Sequence, residues 1–194
     1  MNNNASYPRF IDFEASGFGE DSYPIEVAWN NADGSVESML LHVSSIASWT
    51  HWDDTAEKDA HQISREELDH LGEPIKLVAQ KMNIALKGGV IYSDAPQFDG
   101  FWLARLFEAA NERPAFRMAS AVELFDLHVA DDDRENDDGS TVHKMARFDR
   151  IMDTFGLQAW ANLNLRPHRA SHDVRHLMET YRLLLSTEGK IPAE

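Results

Sequence analysis

The segment 9–14 constrains the fold of this chain more than any other, because two acids lie in it without breaking its apolar pattern. Asp12 and Glu14 alternate with apolar residues, and this period of two is typical of a β-strand. Side chains two residues apart share one face of a strand, so both carboxylates project the same way. A lone Asp-x-Glu is more typical of an exposed edge strand. The apolar flanks and the glycine-containing loop that follows favour the end of an interior strand.

The order of the remaining apolar patterns predicts an α/β protein. Further strands are expected at 25–29, 36–43, 90–92 and 122–127, and helices are expected to start near Arg65 and Pro74 and to run through 98–107, 145–155 and 174–185. Three hairpin-compatible strands followed by helices that alternate with two more strands imply a mixed five-stranded sheet flanked by helices. The whole chain, residues 1–194, is expected to form a single domain.

The composition limits the partners of this chain. Its formal net charge of −15 argues against a broad electropositive surface, so it is not expected to track long duplex DNA. An acidic site can still receive a phosphate through bound divalent ions. Because the sequence has no cysteine, a metal would need oxygen or imidazole ligands, which favours magnesium or manganese over zinc. No membrane span or signal peptide is recognisable, so a cytoplasmic location is expected.

A second acid that is expected to face inward is Asp99, at the start of a predicted helix. It shares a helical face with Leu103 and Leu106, so its carboxylate should point towards the core side. An acid in a first helical turn is commonly only a favourable partner for the helix dipole. Asp94, at the end of the preceding strand, competes with Asp99 for a role in any metal site.

The third acidic element is the run 167–174, which leads into the last helix. Asp173 lies one turn before Leu177 and again faces the apolar side, although it too could serve the helix dipole alone. His168 precedes this helix on a loop, where a lone histidine is usually an ordinary surface residue. Three inward-facing acidic elements and a loop histidine are harder to dismiss together than singly.

Together these elements resemble the motifs of the DEDDh-type 3′–5′ exonucleases, a ribonuclease H-like family that includes oligoribonuclease, ribonuclease T and the DNA polymerase III proofreading subunit. Its motifs are an Asp-x-Glu on the first strand, a Phe-Asp that opens a middle helix, and a His-x-x-x-x-Asp that enters the last helix. This chain supplies Asp12-Phe13-Glu14, Phe98-Asp99 and His168 to Asp173, in that order. The resemblance implies a ribonuclease H-like fold.

The resemblance also implies roles for these residues. Asp12 would bridge two divalent ions, Mg²⁺ or Mn²⁺. Glu14 and Asp173 would serve the ion that carries the attacking water, and Asp99 would support the ion at the leaving group. His168 would act as general base, because imidazole accepts a proton near neutral pH. The expected reaction releases nucleoside 5′-monophosphates from the 3′ end.

Expectations about the substrate follow from the same resemblance. Ser16 and Phe18, after the first motif, would line the terminal nucleotide of a single-stranded RNA or DNA 3′ end or of a short oligonucleotide. The sequence does not choose between the two sugars. Trp49 and Trp52 could stack bases, but closing the core is the better interpretation. A homodimer is compatible with the family, although the sequence shows no interface.

Two alternatives stay open at this stage. One is a catalytically inactive nucleic-acid-binding module of the same fold. The other is a zinc hydrolase that uses His168, His172 and His176, although the carboxylate-rich set suits harder cations. The chain also departs from the family, because Ser93 and Asp94 stand where many members have an Asn before the Phe-Asp pair.

Overall fold

A mixed five-stranded sheet forms the centre of the protein, as predicted. The computed structural model describes residues 7–130 and 138–191. The strands are β1 (Arg9–Ala15), β2 (Pro24–Asn30), β3 (Val36–Leu40), β4 (Val90–Ser93) and β5 (Arg117–Ser120), in the order β3-β2-β1-β4-β5. β2 pairs antiparallel with both β1 and β3, whereas β4 pairs parallel with both β1 and β5. β1 is therefore the central strand, where the antiparallel hairpins meet the parallel half.

Helices flank this sheet. They are α1 (Arg65–Leu71), α2 (Ile75–Leu86), α3 (Pro96–Ala109), α4 (Ala121–Asp126), α5 (Thr141–Ile151), α6 (Leu157–Leu163) and α7 (Ala170–Ser186). Helix α1 begins as predicted, because the Ser64 hydroxyl accepts a hydrogen bond from the Glu67 N–H at 3.1 Å and so caps the first turn. Short π-helical segments occupy Ala56–His61 and Met152–Gly156.

Alternation along β1 divides the core between the two faces of the sheet. Ile11 and Phe13 are buried in a cluster with side chains of α2 and α3, whereas Phe10 is buried in a second cluster with α4, α5 and α7. Each such side chain contributes roughly 1.5–3 kcal/mol by leaving water. Because of the period of two, Asp12 and Glu14 continue the face of Phe10, on the side of α7.

The strand predicted at 122–127 is wrong. Residues Ala121–Asp126 form helix α4, and the fifth strand is the preceding segment Arg117–Ser120, which pairs with β4. The Ser120 hydroxyl accepts a hydrogen bond from the Val122 N–H at 3.2 Å and starts the helix. An apolar run of only six residues is too short for its periodicity to separate a strand from a helix, which explains the error.

Other boundaries differ less. β3 ends at Leu40, whereas the sequence predicted a strand to residue 43. The helix predicted at 145–155 corresponds to α5 and the π-helical segment that follows it. Helix α6, which comes next, was not predicted. Most of the acidic stretch 131–140 lies outside the described residues, and the single domain for 1–194 stays a prediction. Within 7–130 and 138–191, no helix combines the length and apolar character needed to cross a membrane.

Candidate active site

The carboxyl end of β1 places two acids where neighbouring strands separate. The ladder between β1 and β4 ends at the pair Phe10 and Tyr92, and the pairing of β1 with β2 becomes irregular after Glu14. Backbone beyond the last β1–β4 pair is therefore available to other partners, and the Phe13 N–H donates to the Asp99 carboxylate. Asp12 and Glu14 flank this point on β1.

Asp99 enters the site from the first turn of α3 and is only 2% exposed. Its carboxylate accepts hydrogen bonds from the Ser93 hydroxyl and from the Phe13 N–H. The Ser93 oxygen also accepts from the Ala95 N–H at 3.0 Å, so it links the end of β4 to the start of α3. Ser93, which departs from the family pattern, thus orients the Asp99 carboxylate.

Asp173 and His168 come from the entry to α7. The Asp173 carboxylate accepts hydrogen bonds from the backbone N–H groups of Arg169, at 3.0 Å, and of His168. His168 itself is exposed and has a left-handed backbone with φ of 63°. One acid at the start of a helix therefore holds the backbone of the loop that carries the predicted general base.

The acids meet as two groups that share one member. Ligand oxygens of Asp12, Glu14 and Asp173 all lie within 4.8 Å of one another, and so do those of Asp12, Asp94 and Asp99. Asp94, which is exposed at the end of β4, therefore belongs beside Asp99 rather than in its place. Two all-carboxylate groups joined at Asp12 are a donor set suited to two hard divalent cations.

Burial makes these carboxylates costly to ionise without a cation. Burial, followed by the charges of Asp99 and Asp173, raises the pKa of Asp12 well above its ordinary value. Burial is also the main cause that raises the pKa of Glu14 to about 8, of Asp99 to about 8 and of Asp173 to about 7. Cation binding would therefore release protons from this site near neutral pH.

The cation beside this cluster is already paired. The Arg169 guanidinium donates from Nε and Nη2 to the two carboxylate oxygens of Glu26, at 3.0 Å each, and Glu26 is 1% exposed on β2. Glu26 stands opposite Glu14 in the β1–β2 ladder. Sequence reasoning missed both residues of this pair. The Glu26 charge raises the pKa of Glu14 and the Arg169 guanidinium lowers it. The ion pair therefore does not neutralise the negative charge of the neighbouring acids.

The acids and His168 line one cavity of about 410 Å³. Its other walls include Phe18, Phe98 and Trp102, whose ring centroids lie 5.8 to 6.4 Å apart. Phe18 is 71% exposed and Phe98 45% exposed, so aromatic faces are open to a ligand beside the carboxylates. A cavity of about 460 Å³ lies elsewhere, around Arg9 and Lys87, and none of the described residues that line it is an acid.

The loop after β1 is shaped by the segment that follows β3. The Asp53 N–H donates to the Ser16 carbonyl at 2.8 Å, and the buried Ser16 hydroxyl lies 3.3 Å from Nδ1 of His51 and accepts from the Tyr23 N–H. A Cβ at Gly17 would lie 2.7 Å from both Asp53 and His51, which explains the glycine. Contact of Ser16 with a substrate stays a prediction.

Several residues of the segment that follows β3 have structural roles, and His61 at its end reaches the cavity. Trp49 is buried and stacks on Tyr23 at 5.0 Å, while the Trp52 indole N–H donates to Glu57 at 2.7 Å. His61 lines the cavity; its Nδ1 accepts from the Ile63 N–H, and its buried Nε2 has no hydrogen-bond partner among the described residues. Sequence reasoning did not single out His61.

The histidines of the zinc alternative do not converge. Nδ1 of His172 lies 2.9 Å from the Arg166 carbonyl, and Nε2 of His176 lies 2.9 Å from the Gly156 carbonyl while its ring stacks on Trp160. Both groups that could hold a metal within 7–130 and 138–191 contain only carboxylates. The described residues therefore do not form a three-histidine metal site.

Comparison with known proteins finds no family model and no curated protein that matches this chain. Solved structures resemble it at low identity. An exonuclease I structure superposes with a TM-score of 0.60 and 12% identity over 93% of this chain and 41% of that chain. E. coli exonuclease I in complex with a dT13 oligonucleotide gives 0.58 and 11% over 92% and 41%. Exonuclease I from Methylocaldum szegediense gives 0.57 and 13% over 93% and 40%.

The comparison establishes the fold. The architecture is the ribonuclease H-like α/β fold that the sequence predicted. This chain spans about two-fifths of the length of the exonuclease I chains that it resembles.

Proposed function

We propose that this protein is a metal-dependent 3′–5′ exonuclease that acts on single-stranded nucleic acid or short oligonucleotides. The observation that carries the proposal is the sharing of Asp12 between two carboxylate groups at the end of the central strand. The ribonuclease H-like fold and the three sequence motifs support it. The exonuclease I structures include complexes with single-stranded oligonucleotides, which supports the substrate class.

The carboxylates fit two divalent ions, Mg²⁺ or Mn²⁺, which when bound supply the charge that activates water and stabilises both reacting oxygens. Asp12 would belong to both ions, Glu14 and Asp173 to one, and Asp94 and Asp99 to the other.

His168 is proposed as the general base for the attacking water. Its imidazole lines the cavity that the carboxylates line, and it is exposed, so it can return the proton to solvent after each cycle. Glu14, on the group that includes Asp173, would help to orient the same water. These roles agree with those that the family resemblance implies.

Phe18 and Phe98 are proposed to receive the last bases of the strand. Their exposed rings lie at the wall of the cavity, and stacking on aromatic rings accepts every base because each has a π-face. The charge of −15 keeps the wider surface unsuited to a long duplex. The site therefore favours a short, single-stranded end.

End-labelled oligomers test this function. Single-stranded RNA and DNA carrying a 5′ or a 3′ label are incubated with the protein in EDTA, Mg²⁺, Mn²⁺ or Zn²⁺. Stepwise shortening from the 3′ end that requires Mg²⁺ or Mn²⁺ and releases 5′-mononucleotides is the expected result, and the preferred sugar emerges from the same gel. His168→Ala is expected to slow the reaction by about 100-fold or more while it still folds and binds metal.

Failure to cleave any oligomer by a folded, metal-loaded protein would contradict the proposal and favour the inactive binding module. Asp94→Asn and Asp99→Asn, compared in the same assay, test the second group. Both are expected to slow cleavage, and Asp99→Asn more, because Asp99 is buried and fixed by Ser93. Loss of activity in Asp94→Asn alone would overturn the assignment of Asp99.

A further inference from the structure

The loop that carries His168 has a backbone that needs support. His168 has a left-handed φ of 63° although it is not glycine, a conformation that costs about 1 kcal/mol or more and persists only where the surroundings hold it. The residue is exposed at the cavity, so no core packing fixes it directly. Arg166 lies two residues before it and Arg169 directly after it.

Arg169 ties one side of this loop to the central sheet. Its guanidinium donates one hydrogen bond to each carboxylate oxygen of Glu26, both at 3.0 Å. The same carboxylate accepts hydrogen bonds from the Ala170 N–H at 3.1 Å and from the Ser38 hydroxyl at 2.9 Å. Glu26 is thus saturated by donors and almost fully buried on β2. Its position is fixed by a paired strand, so it is a rigid anchor for the residue after His168.

Arg166 ties the other side of the loop to the cavity wall. Its guanidinium donates to the carbonyls of Ala60 at 3.1 Å and His61 at 3.0 Å, at the end of the π-helical segment Ala56–His61. The backbone between the two arginines is also held by Asp173, which accepts from the N–H groups of His168 and Arg169. The loop is therefore fixed on both sides of the histidine.

We propose that the Glu26–Arg169 ion pair is a positioning device that aims His168 at the carboxylate groups, a role that rests on the proposed exonuclease function. Arg169 acts through His168 and does not touch the reacting atoms. Both oxygens of Glu26 are engaged by a planar fork, which fixes orientation as well as distance; a lysine at the same place could supply the charge but not the fork.

The test compares Arg169→Lys with a matched control. Arg182→Gln removes a similar two-bond fork, from Arg182 to Glu179 at 2.7 Å, on the exposed side of the same helix α7. Arg169→Lys is expected to lower kcat on the order of 10- to 100-fold with KM and Mn²⁺ affinity little changed, because a small misplacement of a catalytic group costs rate rather than binding. Arg182→Gln is expected to leave kcat unchanged.

The decisive measurement is the same substitution in a protein that lacks the imidazole. In a His168→Ala background, Arg169→Lys is expected to lower kcat less than about threefold, because residues that act through one another are not additive. Glu26→Gln serves as the second variant and is expected to behave in the same way in both backgrounds. Circular dichroism confirms that each variant folds.

Three results would overturn this proposal. The first is an unchanged kcat in Arg169→Lys and Glu26→Gln. The second is that Arg169→Lys lowers kcat by the same factor in the His168→Ala background as in the wild type. The third is a fall in Mn²⁺ affinity large enough to explain the lower rate. Each of these results is obtained with variants while the wild-type protein degrades 3′ ends, so the proposed function would still stand. A wild-type protein without activity on any 3′ end would contradict the function and the positioning role together.

Discussion

Buried charge is handled in opposite ways in two regions of this molecule. Between α4 and α5, Arg147 and Asp126 form an ion pair whose side chains are 6% and 8% exposed. At the end of β1, Asp12 and Glu14 lie with other carboxylates, and in the part of the chain that the structure describes no Lys or Arg forms an ion pair with them. The first region pairs opposite charges, whereas the second brings several negative charges together.

The same chemical change should therefore have opposite effects in the two regions. Replacement of an Asp by Asn removes one negative charge and little volume. In the ion pair it removes the negative charge that the buried Arg147 guanidinium contacts, whereas in the carboxylate cluster it relieves repulsion but removes a metal ligand.

Asp12→Asn is expected to give the largest effect. Because Asp12 belongs to both carboxylate groups, its loss should lower the single-turnover cleavage rate at saturating Mn²⁺ by about 1,000-fold or more, equivalent to about 4 kcal/mol of barrier. Asp33→Asn is the matched control, since it makes the same charge change in an exposed turn. A cleavage rate close to wild type in Asp12→Asn would remove the shared role of this residue.

Asp126→Asn should act on stability and not on metal-dependent cleavage. The Arg147 guanidinium would lose its charge-assisted hydrogen bonds to the buried Asp126 carboxylate, so the free energy of unfolding is expected to fall by about 3 kcal/mol. Urea unfolding at pH 7 in EDTA measures this fall. In the same experiment Asp12→Asn is expected to raise stability, and a loss of stability in both variants would break the contrast between the two regions.

The stability of the metal-free protein should fall as pH rises. The folded state raises the pKa of Glu14 to about 8 and of Asp173 to about 7, so it binds protons more tightly than the unfolded chain. Their stabilising contribution is thus fully present below the ordinary carboxyl pKa and is lost as pH rises to about 8, on the order of 2 kcal/mol for each group between pH 5.5 and 8.

Urea unfolding across this range in EDTA measures the slope, and saturating Mn²⁺ is expected to remove it. Asp12→Asn should flatten the slope, whereas Asp33→Asn should not, which separates the cluster from the general charge of the chain. Stability that rises with pH in EDTA would contradict the account of the cluster.

Phe18→Ala should give the smallest effect. Loss of one stacking face is expected to weaken binding of a single-stranded oligomer by about 1 kcal/mol, or roughly fivefold, without loss of metal binding. Phe101→Ala is the matched control, because Phe101 is an exposed aromatic of α3 that packs under Arg105 and does not line the cavity. Equal effects of the two substitutions would remove Phe18 from the substrate path.

The local elements of the site could be predicted from the sequence. Strand periodicity placed Asp12 and Glu14 on one face, and helical periodicity turned Asp99 and Asp173 towards the core side. The sequence could not show whether Asp94 or Asp99 belongs to the metal site. The carboxylates of both residues approach Asp12 only once β4 and α3 have packed beside β1. The direction of a side chain on a single strand or helix could therefore be predicted.

The supporting contacts could not be predicted, because they join distant parts of the chain. Glu26 and Arg169 are 143 residues apart, and no local period links them. The conformation predicted for residues 122–127 was wrong for a different reason: an apolar run this short has too few residues for its periodicity to separate a helix from a strand.

Counting bound Mn²⁺ tests whether Asp12 is shared by two metal sites. Wild-type protein and its Asp12→Asn variant would be titrated with Mn²⁺ at neutral pH, and free ion followed by electron paramagnetic resonance. The account predicts two ions for each wild-type chain and loss of tight binding at both positions in Asp12→Asn, because Asp12 is common to both groups. One ion in the wild type, or two in Asp12→Asn, would contradict it.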